Sequence, residues 1–253
     1  MKAAAAQASV PAPALLHQAL ASQAAAEFVM ASGYDGTIID LQHGEVGLED
    51  ACRMLRAIPR DRNAYAYARV GSIDAATILR LLDSGARGIV APTVETAAQA
   101  SALVTAVKYP PLGGRSLGPS RPALYDGEPY TDAGNHAVSA IIQIETRAGV
   151  ENAEAIFATP GLDSVYLGPA DLAVSHGLPG RGDWADGPVR DALVELSYLA
   201  RGAGLTFGSY CASPAYAKAL IEDGLVDYVG LGIDLVFLNR MAQDAITALR
   251  SES

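Results

Sequence analysis

Residues 65–91 read YAYARVGSIDAATILRLLDSGARGIVA and contain one complete unit of alternating structure. A short apolar run, Tyr65–Val70, comes before a segment with the apolar spacing of an amphipathic helix, Ala75–Asp83, and a second apolar run, Gly88–Ala91, follows. Near-continuous apolar strands separated by a helix are typical of parallel strands that helices cover from outside. This unit predicts an α/β fold with a parallel sheet.

The same alternation continues in both directions from this unit. We predict strands at Leu15–Leu20, Gly36–Asp40, Ala140–Glu145, Ser164–Leu167, Leu205–Ser209 and Asp227–Leu231, and helices at Leu48–Ala57, Thr96–Val107, Val189–Arg201 and Pro214–Asp223. A chain of 253 residues suits a (β/α)8 TIM barrel, which typically has about 250 residues. An open sheet with fewer strands is the alternative, because the first strand is weak.

The pattern predicts a single domain. Residues 1–13 form a loose leader rich in Ala and Pro, and residues 14–253 form the barrel. Pro11 and Pro13 interrupt the apolar centre that a signal peptide needs, and no stretch has the roughly 20 apolar residues of a membrane helix. We therefore expect no membrane partner and a cytoplasmic location.

Composition narrows the possible functions. The net charge of −10 argues against nucleic acid as a partner, because binding to phosphates depends on Lys and Arg. No GxGxxG follows the first strands and no GxxxxGKS or GxxxxGKT occurs, so a nucleotide-binding doubly wound fold is the poorer choice. Cys52 and Cys211 have no CxxC spacing and are expected to be free thiols in a reducing compartment.

Polar residues gather where the predicted strands end. In a TIM barrel the carboxyl ends of all strands meet at one face, and this face carries the active site. The candidate residues at that face are Asp40, Gln42, His43, Arg69, Gln143, Glu145, Asp171, Ser209, Cys211 and Asp234.

Glu145 and Asp171 are the candidate metal ligands. Glu145 ends the run IIQIE, where an ionised carboxylate would be costly to bury without a cation or strong donors. Two carboxylates from adjacent strands suit a hard ion that keeps positions for water or substrate, so Mg²⁺ or Mn²⁺ fits better than Zn²⁺, with Co²⁺ as a further candidate. The alternative is a structural ion pair of Glu145 with Arg69 or Arg147.

His43 and Arg69 are the candidate catalytic side chains. An imidazole titrates near neutral pH, as a general base requires, and an arginine at the barrel face could stabilise an oxyanion or a carboxylate. The alternatives are a capping or surface histidine and an arginine paired with one of many acidic residues. Lys2, Lys108 and Lys218 lie away from the strand ends, which argues against a Schiff-base aldolase.

Two long loops, Tyr109–Asn135 and Ser175–Gly187, interrupt the alternation. Loops of this size in a compact domain are usually functional or take part in assembly.

Several segments together resemble the HpcH/HpaI aldolase/citrate lyase family, in particular the metal-dependent 2-oxo-acid aldolases similar to 4-hydroxy-2-oxoheptanedioate aldolase. They extend in one order from about Glu27 towards the C-terminus. The segments are GYDGTIIDLQHG (33–44), ARV (68–70), LLDSGARGIVAP (81–92), YPP (109–111), GRSLGPSRP (114–122), QIETR (143–147) and GPADL (168–172).

The resemblance implies a role for each matching residue. Glu145 and Asp171 correspond to the two metal ligands, Arg69 to the residue that steadies an enolate, and His43 to the base that moves the hydroxyl proton. The groups that hold the oxo and carboxylate oxygens of the substrate correspond to Gln143, Gly168, Pro169 and Ala170.

Asp83 corresponds to an aspartate that raises the basicity of the histidine. It ends a predicted helix that leads into the fourth strand, which puts it near the opposite face of the barrel. It could therefore reach a His43 only across an assembly contact, and Asp40 is the local alternative.

The implied activity is that of a class II pyruvate aldolase. A 2-oxo acid such as pyruvate binds the divalent metal, and the metal and Arg69 stabilise the enolate. The enolate then adds reversibly to an aldehyde, while His43 manages the proton of the new alcohol. The partners are thus a small 2-oxo acid and an aldehyde, and the resemblance also implies a homo-oligomer, commonly a hexamer.

Two departures from the family pattern leave the choice of aldehyde open. His17, after Leu16, stands where the family usually has a Gly-Trp element, and Gln42 stands where many relatives carry Glu. Three other functions remain open: a CoA-thioester lyase of the malyl-CoA or citramalyl-CoA type, a phosphosugar barrel with Gly230-Leu-Gly232 at the phosphate, and a non-catalytic barrel that binds carboxylates.

Overall fold

Parallel strands pair in chain order, and the last strand pairs with the first to close a barrel. The computed structural model describes residues 12–59, 65–118, 121–126 and 130–251. Closure confirms the predicted TIM barrel and excludes the open sheet. Most of the predicted leader, residues 1–11, lies outside the described residues.

The strands are β1 (Ala14–Gln18), β2 (Gly36–Asp40), β3 (Tyr65–Arg69), β4 (Gly88–Ala91), β5 (Ser139–Ile144), β6 (Ser164–Leu167), β7 (Thr206–Cys211) and β8 (Tyr228–Ile233). The helices are α1 (Gln23–Ala31), α2 (Leu48–Ala57), α3 (Ala75–Ser84), α4 (Ala97–Val107), α5 (Ala123–Asp126), α6 (Tyr130–Ala137), α7 (Arg147–Glu151), α8 (Ala153–Phe157), α9 (Pro169–Ser175), α10 (Gly187–Gly202), α11 (Pro214–Glu222) and α12 (Asp234–Arg250).

The interior of the barrel is packed by side chains from alternate strand positions. The Tyr166 and Tyr228 rings stack there at 5.9 Å between centroids, and Tyr67 meets Tyr228 edge-on. This packing fills the interior towards the amino ends of the strands, so that the carboxyl-end face is left open for a site. The buried interior cluster comprises Leu15, Ile38, Tyr67, Val90, Ile141, Tyr166 and Tyr228.

A second, larger apolar cluster lies between the strands and the outer helices. The α3 helix illustrates why these segments are helical: Asp74 caps its first turn by accepting the Thr77 N–H, and Gly85 ends it in the left-handed conformation at a φ of +113°. The helix buries Ile78 and Leu81 against the sheet. These caps place the β4 strand directly after the turn.

The long segment Tyr109–Asn135 connects α4 to β5, and its described parts, residues 109–118, 121–126 and 130–135, lie at the amino-end rim of the barrel, away from the strand ends that form the site. It contains α5 and the start of α6. The Lys108 ammonium, buried at its beginning, pairs with Asp163 at 2.8 Å and donates to the carbonyl of Val138 at 2.6 Å. These contacts hold the end of α4 against the residues that precede β5 and β6.

The last helix, α12, has no buried residue along its 17 residues. Among the described residues, no helix is both long and apolar enough to cross a bilayer. Cys52 and Cys211 are buried free thiols, as predicted.

Candidate functional site

A cavity of about 150 Å³ opens at the carboxyl-end face of the barrel. Two larger grooves, of about 610 and 630 Å³, lie among the outer helices, away from the strand ends. Most of the predicted site residues line this cavity. The lining residues are His17, His43, Arg69, Gln143, Tyr166, Gly168, Pro169, Ala170, Asp171, Tyr210 and Ile233.

Glu145 lies buried directly after β5, and both of its carboxylate oxygens accept hydrogen bonds. The backbone N–H and the hydroxyl of Thr93 each donate to Oε1 at 2.8 Å, and the side-chain amide of Gln143 donates to Oε2. Thr93 has a φ of +51°, a left-handed conformation that a β-branched residue rarely adopts. The strained turn after β4 thereby aims two donors at Glu145.

Asp171 brings a second carboxylate to this end of the cavity. It lies in the first turn of α9 and is exposed. Burial raises the pKa of Glu145 above its ordinary value, and the negative charge of Asp171 raises it further, against the hydrogen bonds from Thr93. Asp171 thus adds to the effect of burial and disfavours ionisation of Glu145, as a like charge does.

The backbone at Gly168 passes against the Glu145 and Gln143 side chains. A Cβ at position 168 would lie 2.5 Å from Oε2 of Glu145 and 2.7 Å from Nε2 of Gln143. Only glycine fits here without displacing one of them. The turn Gly168–Ala170 therefore lies directly against Glu145 and leads into the helix turn that carries Asp171.

A hard divalent cation fits this end of the cavity. Two repelling carboxylates favour a cation between them, and the Gln143 Oε1 is buried without a hydrogen-bond partner in the described part of the chain. No cluster of three or more His, Cys, Asp or Glu that could hold a metal occurs within residues 12–59, 65–118, 121–126 and 130–251. The oxygen atoms of Glu145, Asp171 and Gln143 are ligands that suit Mg²⁺ or Mn²⁺ better than Zn²⁺.

Arg69, at the end of β3, forms a two-point ion pair with Asp40 at the end of β2. The Nε donates to Oδ1 at 3.0 Å and an Nη donates to Oδ2 at 2.6 Å. Burial lowers the pKa of Arg69, but Asp40 outweighs burial and the net pKa is raised, so the guanidinium stays charged. Burial raises the pKa of Asp40, but Arg69 outweighs it and the net pKa lies below its ordinary value.

Asp40 also orders the loop that carries His43. Its Oδ1 accepts the backbone N–H of Gln42 at 3.0 Å and that of His43 at 3.3 Å. His43 itself is exposed at the edge of the cavity. The carboxylate predicted as a local partner of the imidazole thus holds the backbone at His43.

The predicted alternative ion pairs of Glu145 are replaced by other contacts. Arg69 pairs with Asp40, and Arg147 lies 3.9 Å from Glu151 on the exposed face of α7. Hydrogen bonds from Thr93 and Gln143 hold Glu145 instead.

Asp83 lies on the opposite rim from the cavity, near the end of α3. Arg115, from the long loop after α4, donates to its Oδ1 at 2.9 Å. Burial raises the pKa of Asp83, and Arg115 opposes this shift without cancelling it. Within one chain the structure does not bring Asp83 to His43.

Three further candidates at the strand ends serve other contacts. Ser209 and Cys211 are buried on the outer side of β7, whereas Tyr210 between them faces the cavity, because side chains alternate along a strand. Asp234 accepts the backbone N–H groups of Ala19 and Leu20 at 2.9 and 3.1 Å, so it ties the loop after β1 to the start of α12.

Gly230 and Gly232 were candidates for a phosphate-binding turn. In the structure, the absence of a side chain at each position makes room for a neighbouring aromatic side chain. A Cβ at Gly230 would overlap the Tyr166 hydroxyl and lie 3.0 Å from Nε2 of His17, and a Cβ at Gly232 would overlap the ring of Phe237. Both glycines are therefore explained by packing.

The sequence did not single out Thr93, Tyr166, Tyr210 or Ile233, and it marked His17 only as a departure. Strand alternation was the available signal for Tyr166, which lies two residues before Gly168 and so shares its face. The available signal for Thr93 was its position just after β4, because β4 neighbours β5, the strand that leads to Glu145.

The chain is similar to known proteins in sequence and in fold. The model of the HpcH/HpaI aldolase/citrate lyase family matches residues 14–239. A hydroxypyruvate/pyruvate aldolase of Rhizorhabdus wittichii is 34% identical over 226 residues, 89% of each chain. A 4-hydroxy-2-oxovalerate aldolase of Novosphingobium aromaticivorans is 37% identical over 236 residues, 92% of this chain and 88% of the relative. The crystal structure of a HpcH/HpaI aldolase/citrate lyase family protein from Burkholderia cenocepacia J2315 is similar with a TM-score of 0.83, at 29% identity over 95% of each chain.

Proposed function

Since this chain belongs to the HpcH/HpaI aldolase/citrate lyase family and is a carbon–carbon lyase, we propose that it is a divalent-metal-dependent pyruvate aldolase. The reaction joins pyruvate, or a related 2-oxo acid, to an aldehyde, and in reverse cleaves a 4-hydroxy-2-oxo acid. The observation that carries this proposal is one cavity whose wall contains His43, Arg69 and Asp171, with the Glu145 carboxylate beside it.

Glu145 and Asp171 are the residues that would hold the metal ion. Bound there, Mg²⁺, Mn²⁺ or Co²⁺ would draw electron density from the oxo and carboxylate oxygens of a 2-oxo acid and make its methyl protons more acidic. Thr93 fixes the Glu145 carboxylate by donating to it twice, and these hydrogen bonds oppose the rise in its pKa. The free Oε1 of Gln143 and the turn Gly168–Ala170 shape the space in which the substrate lies.

Arg69 is proposed to stabilise negative charge that develops on the substrate. Its guanidinium is preorganised by the ion pair with Asp40 and lines the cavity. A fixed cation in a site with little water stabilises an enolate oxygen without having to reorient during the reaction.

His43 is proposed to move the proton of the hydroxyl group that forms or breaks. It is the exposed histidine of the cavity wall, and Asp40 fixes the backbone on which it is carried. In this proposal Asp83 assists His43 only across an assembly contact, because the two lie on opposite rims of one barrel. The soluble partners are a small 2-oxo acid and an aldehyde, and the assembly is a homo-oligomer.

The test of this proposal is metal binding together with aldol cleavage. We expect stripping with a chelator to abolish pyruvate release from a 4-hydroxy-2-oxo acid, and added Mg²⁺ or Mn²⁺ to restore it. Titration with Mn²⁺, followed by electron paramagnetic resonance, should show one binding site. Glu145→Gln should weaken Mn²⁺ binding at this site at least about tenfold, because it removes one of the two carboxylate charges.

Glu151→Gln is the matched control, since Glu151 is exposed on α7 and pairs only weakly with Arg147 at 3.9 Å. It should bind Mn²⁺ like the unmodified protein. Full cleavage activity after complete metal removal would refute the metal-dependent aldolase.

A further inference from the structure

His17 and Tyr166 form a hydrogen-bonded pair across the interior of the barrel. The Nε2 of His17 lies 2.7 Å from the Tyr166 hydroxyl, although β1 and β6 are not neighbouring strands. Both side chains are buried and both line the cavity. The reaction proposed above gives neither of them a task.

The pair is held in place from three sides. The Tyr166 ring stacks on Tyr228 at 5.9 Å, and Tyr210 meets His17 edge-on at 5.6 Å. The β8 backbone passes so close at Gly230 that a Cβ there would overlap the Tyr166 hydroxyl. A polar pair packed this tightly has one orientation, which is what selective binding requires.

His17 lies across the barrel from the strand that leads to Glu145. In a barrel closed in chain order, β1 lies across the interior from β5, the strand that precedes Glu145. A 2-oxo acid placed at the carboxylate end therefore directs its reaction partner towards the wall formed by His17, Tyr210 and Ile233.

The chemistry of this wall suits a hydroxyl group. Burial, and then the charge of Arg69, lower the pKa of His17 to about 3, so the imidazole is neutral near neutral pH. Its Nε2 is engaged by Tyr166, which leaves Nδ1 as the ring nitrogen for a ligand. A neutral imidazole can exchange a hydrogen bond with a hydroxyl, whereas an alkyl group at the same place would leave a buried polar atom unpartnered.

We propose that His17, positioned by Tyr166, binds a hydroxyl group of the acceptor aldehyde and makes the enzyme select hydroxyaldehydes over alkyl aldehydes of the same size. This inference rests on the proposed aldolase function. His17 is then a specificity residue, and Tyr166 is the positioning residue that acts through it.

The experiment compares glycolaldehyde with propanal, which has a methyl group in place of the hydroxyl, as acceptors for pyruvate. We expect the metal-loaded enzyme to favour glycolaldehyde at least about fivefold in kcat/KM, which corresponds to one neutral hydrogen bond. His17→Phe should bring the ratio close to one, and His17→Gln should restore part of it. The ratio cancels any general loss of activity.

Tyr166→Phe, which keeps the stacked ring, should also lower the ratio and gives a second answer if His17→Phe does not fold. His136→Phe is the control, because His136 is exposed on α6 at the other rim, and it should keep the ratio of the unmodified enzyme. The inference is overturned if the unmodified enzyme has a ratio near one, or if both His17→Phe and Tyr166→Phe keep its ratio. In either case, aldol activity with the two aldehydes still supports the proposed function. Absence of aldol addition with either aldehyde, together with absence of pyruvate deuteration in heavy water, overturns both.

Discussion

The Asp40–Arg69 pair shows how single residues in this site serve both stability and chemistry. Asp40 accepts two hydrogen bonds from Arg69 and two from the backbone of the loop after β2. A buried arginine of this kind is tolerated because its charge is matched at short range. The same match keeps the guanidinium charged and oriented towards the cavity.

Replacing Asp40 should therefore destabilise the protein strongly. Asp40→Asn leaves a buried guanidinium, with 12% of its side chain exposed, without its counter-charge, and we expect a loss of about 3 kcal/mol in the free energy of unfolding. The measurement is urea denaturation at neutral pH. Asp50→Asn is the control, because Asp50 pairs with Arg53 at the surface, with 44% and 54% of the side chains exposed, and should cost less than about 1 kcal/mol.

The pH dependence of this effect has a definite sign. The pKa of Asp40 is lower in the folded protein than its ordinary 3.8, so the unfolded chain binds more protons between the two values. The pair stabilises the fold fully above the ordinary pKa, and this contribution is lost as the pH falls through the folded-state pKa. The stability gap between the unmodified protein and Asp40→Asn should shrink over that range, and a gap that stays constant would contradict the role of the ion pair.

At this scale the sequence predicted the polar residues of the strand ends better than their partners. Glu145, Asp171, Arg69 and His43 were candidates because charged residues stand out against apolar strands. Thr93 was missed because its contribution depends on a left-handed backbone at φ +51°, which nothing in a one-dimensional pattern requires of a threonine.

Among the elements, the turn from β6 into α9 determines the geometry of the carboxylate end. It carries Gly168 against Glu145 and Gln143, and it begins the helix whose first turn contains Asp171. Proline in the first turn of α9 suits this abrupt start, because the helix leaves that N–H without a partner in any case.

Gly168→Ala should therefore damage the site while leaving the barrel folded. The added methyl group would lie 2.5 Å from the Glu145 carboxylate, so either the carboxylate or the turn must move. We expect Mn²⁺ affinity to fall about 10-fold to 100-fold, as for groups that orient metal ligands, with little change in the circular dichroism spectrum. Gly202→Ala, where a Cβ would meet nothing within 4 Å, should bind Mn²⁺ normally. Unchanged affinity in Gly168→Ala would show that the metal does not lie between Glu145 and this turn.

Element boundaries were predictable where an apolar run or an amphipathic segment has clear ends, as at β2, β4, β6 and α2, whose predicted bounds match the structure. The predicted strand Leu205–Ser209 lies instead at Thr206–Cys211. The alternation continues past Ser209, because Tyr210 faces the cavity and Cys211 faces the outer apolar cluster. The long loop before β5 was predicted to be functional or an assembly element. Its described parts lie at the amino-end rim with Asp83, on the opposite side of the barrel from the cavity. In the proposed reaction this loop can therefore only be an assembly element.

For the molecule as a whole, the closed barrel followed from the repeated strand–helix unit, since no local feature contradicts it. The outer surface was harder to predict, because amphipathic spacing does not say which molecule covers a helix. The α12 helix exposes Leu238 to 60% and Leu249 to 79%. These residues lie on one stripe of the helix with Leu235, Ala242 and Ile246, a spacing typical of a packed interface.

We expect this stripe to be covered in the proposed homo-oligomer. Leu238→Arg combined with Leu249→Arg should yield a smaller species in size-exclusion chromatography with light scattering, because two charges cannot be buried without partners. Thr247→Arg, on the opposite side of α12, should leave the oligomer intact. A monomeric unmodified protein, or an unchanged oligomer in the double variant, would contradict this role of α12.

The central claim is that the Glu145 end of the cavity promotes proton loss from pyruvate, and exchange of the pyruvate methyl protons in heavy water tests it without the natural aldehyde. Metal-stripped protein should be inactive, added Mn²⁺ or Mg²⁺ should produce steady loss of the methyl signal in proton NMR, and Glu145→Gln should abolish it while Glu151→Gln does not. Absence of exchange with any divalent metal in the folded protein, or exchange that Glu145→Gln leaves unchanged, would contradict the account.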